Sequence, residues 1–120
     1  MDFNGKRVLI VGLGRTGEAT ADFLLKRGAR VTISEKKTAA ELGRDAAAWA
    51  ERGAVVEAGG HNLGSFLAAD LIVPSPGVPP LAEIAAARER GIPVLSEIEI
   101  AHRFLRGRLI GITGTNGNST

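Results

Sequence analysis

Apolar residues along this chain occur as short continuous runs, separated by longer stretches in which apolar positions recur with helical spacing. The short runs are rich in Val, Ile and Leu, a pattern typical of strands that are buried on both faces of a sheet. These runs predict strands at positions 6–11, 29–34, 54–58, 71–73, 92–95 and 109–113.

The longer stretches carry the start and stop signals of helices. Thr38 and Ser96 each open a capping-box pattern, with Glu41 and Glu99 three residues further on. Glycines follow the stretches and mark the ends of the helices. These signals predict helices at about 13–27, 38–52, 81–90 and 96–105.

The alternation of strands and helices predicts how the strands pair. Strands separated by helices of this length pair in parallel through right-handed crossovers. We therefore expect a single α/β domain, built as a Rossmann-like doubly wound parallel sheet of five or six strands. Ligands of such sheets bind beyond the carboxyl ends of the strands. The turns that follow positions 11, 34, 73 and 113 are thus the candidate ligand sites.

Composition narrows the class of protein. Hydrophobic residues make up 44% of the 120 residues and charged residues 23%, which is ordinary for a soluble globular domain. A net charge of +2 and an aromatic content of 4% weigh against a nucleic-acid interface. No apolar run reaches the length of a bilayer span. We expect a cytoplasmic monomer, and the absence of cysteine fits a reducing compartment.

The turn after the first strand is a glycine-rich motif of the form G-x-G-x-x-G, spanning Gly12, Leu13, Gly14, Arg15, Thr16 and Gly17. Such glycines allow a tight turn and a close approach of a phosphate to the backbone N–H groups at the helix start. The alternative is a tight turn without a ligand. With a strand before it and a helix after it, the motif predicts a phosphate-bearing ligand but does not identify it.

The next two turns leave the identity of that ligand open. Glu35 lies near the position at which dinucleotide-binding domains place an acid for the ribose hydroxyls, whereas Lys36 and Lys37 could instead hold a phosphate. The loop at 74–80 contains four prolines and is therefore stiff. Its Gly77 leaves the backbone open to a ring, although a purely structural turn is also consistent.

We find no catalytic constellation and no metal-ligand pattern in the sequence. His61 and His102 lack partners at ligand spacing, so we expect both to be surface or helix-side residues. Glu83, Glu97 and Glu99 are interpreted as charges favoured at helix starts.

Four segments resemble the Mur ligases, in particular the branch that adds D-glutamate. They are V-G-L-G-R-T-G near the start, A-D-L-I-V-P-S-P-G-V in the middle, L-S-E-I-E-I-A, and I-T-G-T-N-G near the end. The resemblance covers the chain in order. It implies that residues 1–112 form a domain that binds the UDP part of UDP-N-acetylmuramoyl-L-alanine, and it favours UDP over NAD.

The resemblance also implies which residues bind the substrate. Those at the diphosphate would be Gly14, Arg15, Thr16 and Gly17. Those at the uridine would be Ser34, Glu35, Lys36, Ser75, Pro76 and Gly77. D-glutamate, ATP and Mg²⁺ would act only in the full-length enzyme, so we expect this chain to need no cofactor and to be inactive by itself.

Residues 113–120 resemble the start of an ATP phosphate loop, here Gly114, Thr115, Asn116, Gly117, Asn118, Ser119 and Thr120. The family's lysine is replaced by Asn118, a neutral amide. A charge-assisted hydrogen bond is worth about 1.5–3 kcal/mol, or roughly ten- to a hundredfold in affinity. We expect weakened ATP binding, and disorder from about position 114.

Two other functions fit parts of the pattern. The glycine-rich turn and Glu35 are consistent with an NAD(P)-binding Rossmann domain of an oxidoreductase. A regulatory nucleotide-sensing module is the other alternative. Neither explains a second phosphate-loop segment at the end of the chain.

Overall fold

A computed structural model of the chain describes residues 3–13 and 15–105. Within them lie four strands, β1 (Arg7–Val11), β2 (Arg30–Glu35), β3 (Val55–Ala58) and β4 (Leu71–Pro74). They form one parallel sheet in the order β3-β2-β1-β4. The helices are α1 (Arg15–Lys26), α2 (Ala39–Leu42), α3 (Arg44–Glu51), α4 (Leu63–Ala68), α5 (Ala82–Glu89) and α6 (Glu97–Ile100), followed by a π-helical segment (Ala101–Leu105). The predicted α/β class with a parallel sheet is confirmed.

Hydrophobic side chains from alternate positions of the strands fill two layers, one on each side of the sheet. One layer packs Val8, Ile10, Val31 and Ile33 against side chains of α1, α3 and α6. The other packs residues including Leu9 against α4 and α5. Helices on both faces explain why the strands are continuous apolar runs.

The prediction of five or six strands is not confirmed among the described residues. The segment predicted as a strand at 92–95 forms a single parallel bridge, Ile72 to Val94. Each neighbouring rung of that ladder would need an N–H group from Pro74 or Pro93, and proline has none. Two prolines therefore limit the pairing to one rung. The predicted strand at 109–113 lies outside the described residues.

Several helices differ from the prediction. The helix expected at 38–52 is divided by Gly43, whose φ of +57° and ψ of −126° end α2 before α3 begins. Helix α4, which buries Phe66, was not predicted because it is short and contains Gly64. The helix expected at 96–105 becomes π-helical after Ile100.

Both predicted capping boxes are confirmed. At the start of α2, the N–H of Glu41 donates to the Thr38 hydroxyl and the N–H of Thr38 donates to the Glu41 carboxylate. Ser96 and Glu99 make the same pair of bonds at the start of α6. The turns that leave β1, β2 and β4 meet at one edge of the sheet, because Val11 is in register with Ser34 and Pro74.

Among the helices of the described residues, none combines the length and the apolar character needed to cross a bilayer.

Candidate functional site

A cleft of about 490 Å³ opens at the carboxyl edge of the sheet. Its walls come from the turn after β1, the turn after β2, His61 and the loop after β4. A second cavity of about 500 Å³ lies against β1, β2, β3 and α4 and contains none of the predicted site residues. Because ligands of parallel sheets bind beyond the carboxyl ends of the strands, the first cleft is the candidate site.

The glycine-rich turn packs closely against its neighbours. Gly12 has a φ of +88°, and a Cβ there would lie 3.0 Å from the Val78 side chain. A Cβ on Gly17 would lie 3.0 Å from the Gly12 carbonyl oxygen and 3.1 Å from a carboxylate oxygen of Glu97. These two glycines thus allow α1 to approach the loop after β4 and α6.

Helix α1 begins at Arg15, within the glycine-rich motif that follows β1, so its amino terminus faces the carboxyl edge of the sheet. The positive end of a helix dipole and the free N–H groups of its first turn favour an anion. Of the predicted diphosphate residues, Gly14 lies outside the described residues, as do the side chains of Arg15 and Thr16.

Glu35 joins the turn after β1 to the turn after β2. One carboxylate oxygen accepts the N–H of Leu13 at 3.0 Å and the other accepts the N–H of Lys37 at 2.8 Å. Burial by itself raises the pKa of Glu35, whose exposure is 7%, but the hydrogen bonds from Lys37 and Leu13, together with nearby positive charge, lower it by more. The net result is a pKa below the ordinary value of 4.5. The ionised carboxylate therefore stabilises this side of the cleft.

Ser34, near the end of β2, is fully buried and is not among the residues that line the cleft. It contacts His61, which does line the cleft. The Ser34 hydroxyl lies 2.6 Å from Nδ1 of His61, whose ring packs edge-on against Phe66 at 5.9 Å between ring centroids. His61, expected to be a surface or helix-side residue, is half-buried, lies outside the helices and lines the cleft. The signal available in the sequence was its position just after β3, because neighbouring parallel strands end at the same edge.

Ser75 and Glu97 connect the loop after β4 to the glycine-rich turn. The Ser75 hydroxyl lies 2.8 Å from the Gly12 carbonyl oxygen and 2.9 Å from a carboxylate oxygen of Glu97. Glu97 is 4% exposed, and its second oxygen has no partner within the part of the chain that the structure describes. The interpretation of Glu97 as only a helix-start charge was therefore incomplete.

The remaining walls of the cleft differ in character. Pro76, Gly77 and Val78 form an apolar side, and Lys36 and Lys37 contribute cations near the end of β2. Among residues 3–13 and 15–105, no group of three or more acidic, His or Cys side chains could hold a metal ion. Apolar surface, cations and a helix amino terminus together suit a ligand with a flat ring and an anionic group.

Relatives with high sequence identity cover the whole chain. The ligase named UDP-N-acetylmuramoylalanine--D-glutamate ligase from Acidobacterium capsulatum is 50% identical over 121 residues, covering 100% of this chain and 26% of its own length. The protein of the same name from Koribacter versatilis is 48% identical, covering 100% of this chain and 27% of its own length. The chain thus spans about a quarter of these relatives.

Solved structures of similar fold are more distant in sequence. A pseudomurein peptide ligase type C from Methanothermus fervidus superposes with a TM-score of 0.65 at 21% identity, covering 82% of this chain and 20% of that one. SirC, a precorrin-2 dehydrogenase, gives a TM-score of 0.57 at 21% identity, covering 78% and 45%. At such identities the likeness supports the Rossmann-like fold alone.

A family model described as "Mur ligase MurD-like, N-terminal domain" matches residues 6–96. The match includes the glycine-rich turn, the turn after β2 and the loop after β4, which together form the cleft. This chain therefore belongs to the MurD-like family of Mur ligase N-terminal domains.

Proposed function

We propose that this domain binds the UDP part of UDP-N-acetylmuramoyl-L-alanine in the cleft at the carboxyl edge of the sheet. The observation that carries the proposal is the meeting of three turns around that cleft, one of which leads into α1. The names of the relatives supply the substrate class.

The diphosphate lies at the amino terminus of α1 in this proposal. Backbone N–H groups of the glycine-rich turn donate to the phosphate oxygens, and the helix dipole favours their charge. Gly14, Arg15, Thr16 and Gly17 would form this part of the site.

The uridine lies between the turn after β2 and the loop after β4. The apolar surface at Pro76 and Gly77 covers one face of the base, while Glu35 and Lys36 border its edge. Ser75 fixes the loop through its contacts with Gly12 and Glu97. These contacts hold the loop after β4 against the glycine-rich turn.

The intact protein in this proposal is a cytoplasmic, monomeric ligase that joins D-glutamate to the alanyl carboxylate of the substrate. ATP with Mg²⁺ would supply the phosphoryl group that activates that carboxylate. This domain anchors the nucleotide far from the reaction, so that its binding free energy positions the reacting group. The phosphate-loop segment at 114–120, with Asn118, lies outside the described residues, and we propose that the chain alone has no ligase activity.

A thermal-shift titration with UDP tests the proposal. A ligand present at 100 times its Kd stabilises a folded protein by about 2.7 kcal/mol, so UDP at that excess should raise the Tm by about 10 °C. Lys36→Ala removes a cation at the cleft and should weaken UDP binding, whereas Arg88→Ala removes one from the exposed side of α5 and should not.

NADH in the same assay distinguishes the oxidoreductase alternative. The proposal requires that UDP stabilise the chain and that NADH do so much less. Failure of millimolar UDP to change the Tm, or a larger effect of NADH than of UDP, would contradict the proposal.

A further inference from the structure

We propose that His61 determines the specificity of the cleft for the nucleobase, by donating a hydrogen bond from Nε2 to a carbonyl oxygen of the base. This inference rests on the proposed function, since it assumes that a pyrimidine nucleotide occupies the cleft. It is carried by the pairing of His61 with Ser34 and by the position of His61 in the cleft wall.

The pairing with Ser34 selects one tautomer of the imidazole. Ser34 is fully buried, and among the described residues His61 is the hydrogen-bond partner of its hydroxyl. If Nδ1 carried the proton, Nδ1 would donate to the hydroxyl and the hydroxyl hydrogen would be left without an acceptor. A buried donor without an acceptor is unfavourable. The hydroxyl therefore donates to Nδ1, and the ring proton resides on Nε2.

The surroundings of the ring hold it at the cleft. Its edge-on contact with Phe66, a fully buried residue of α4, fixes the ring plane at 82° to that of the phenyl ring. With Nδ1 directed at Ser34, Nε2 is the ring nitrogen that remains for a ligand. His61 lies beside the turn after β2, where the proposed base-binding region is located.

An N–H donor at this position distinguishes the two common pyrimidines. Uracil carries a carbonyl oxygen, an acceptor, at the position where cytosine carries an amino group, a donor. Nε2–H can pair with the former, whereas the latter would place two donors against each other. A site that leaves a buried polar group unpaired rejects the wrong ligand by about tenfold or more.

The affinities of the chain for UDP and CDP, measured by calorimetry, test the inference. The wild-type chain should prefer UDP by about tenfold. In His61→Gln, the terminal amide can turn to present either its donor or its acceptor, so both nucleotides should bind with similar affinity. In Ser34→Ala, the ring remains but its tautomer is no longer selected, so the preference should also fall. His102→Gln, on the exposed π-helical segment, is the matched control and should keep the wild-type ratio.

The ratio of the two affinities separates specificity from a structural role. A ratio that stays at the wild-type value in both His61→Gln and Ser34→Ala would overturn the inference while leaving the proposed function intact. Equal affinity of the wild-type chain for UDP and CDP would also overturn the inference and leave the proposed function intact. If the wild-type chain binds neither nucleotide, the proposed function and this inference both fail.

Discussion

Buried and half-buried polar side chains connect the loops of the cleft to one another. Glu35 accepts two backbone N–H groups from different turns, and Ser75 lies between a backbone carbonyl and Glu97. A carboxylate with N–H donors on both oxygens stays ionised although it is buried. These contacts, rather than apolar packing alone, set the relative positions of the turns.

Substitution of Glu35 by glutamine should destabilise the chain near neutral pH. The glutamine amide has one acceptor oxygen, so its NH₂ group would face one of the two backbone donors. Hydrogen bonds to a charged group contribute about 1.5–3 kcal/mol, and we expect a loss of that order in the free energy of unfolding. Urea denaturation of the wild-type and Glu35→Gln chains measures it.

The same comparison carried to lower pH checks the ionisation of Glu35. Its pKa in the folded chain is lowered from 4.5, so the stabilisation by the carboxylate is complete above about that pH and is lost as the pH falls through the lowered value. The difference between the two chains should therefore shrink below pH 4.5. Asp22 and Glu41, whose pKa values are also lowered, are present in both chains and cancel in the difference. A difference independent of pH would contradict this account.

Sequence patterns located Gly12, Gly17, Glu35 and Ser75, since each belongs to a turn that follows a predicted strand. They did not identify the contacts of His61 with Ser34 or of Glu97 with Ser75, because these pairs lie 27 and 22 positions apart in the chain. A periodicity of apolar residues contains no information on which buried polar groups will meet.

At the scale of elements, the two capping boxes have the same sequence form, but the two helices that they cap differ in what they bury. Helix α6 buries Glu97 and Ile100, and Glu97 contacts Ser75 of the cleft. Helix α2 buries none of its residues. Unwinding of α6 would therefore disturb the core and the cleft, whereas α2 can unwind locally.

This difference predicts unequal effects of removing the two caps. Replacing a capping hydroxyl by alanine typically destabilises a protein by about 0.5–2 kcal/mol. We expect Ser96→Ala to lie near the upper end of that range and Thr38→Ala near the lower end, as measured by urea denaturation. Equal effects, or a larger effect at Thr38, would show that α6 is not a stabilising part of the cleft.

Element boundaries show where sequence patterns were sufficient. Strands β1 to β4 were predicted because parallel strands buried on both faces are nearly continuous apolar runs. The predicted fifth strand, at 92–95, forms only one bridge because Pro74 and Pro93 lack the N–H groups that further pairing needs. The apolar pattern of the segment gives no sign of that restriction. Gly43 divided a predicted helix because a glycine with positive φ can end one helix and start another.

At the scale of the whole molecule, strand order determines the place of the cleft. In the order β3-β2-β1-β4, the chain leaves β1 towards β2 on one side and later adds β4 on the other. The chain continues from β1 and from β4 to opposite faces of the sheet, into α1 and α5, and leaves a crevice between them, which is where doubly wound sheets bind ligands. The fold alone does not select the ligand, because dehydrogenases and ligases share it.

A crystal structure of the chain with UDP tests the central claim most directly. The account predicts the diphosphate at the amino terminus of α1 and the base between His61 and the loop after β4. Binding of UDP in the other cavity, beside Arg7 and Arg30, or density for the nucleotide away from the glycine-rich turn, would contradict it.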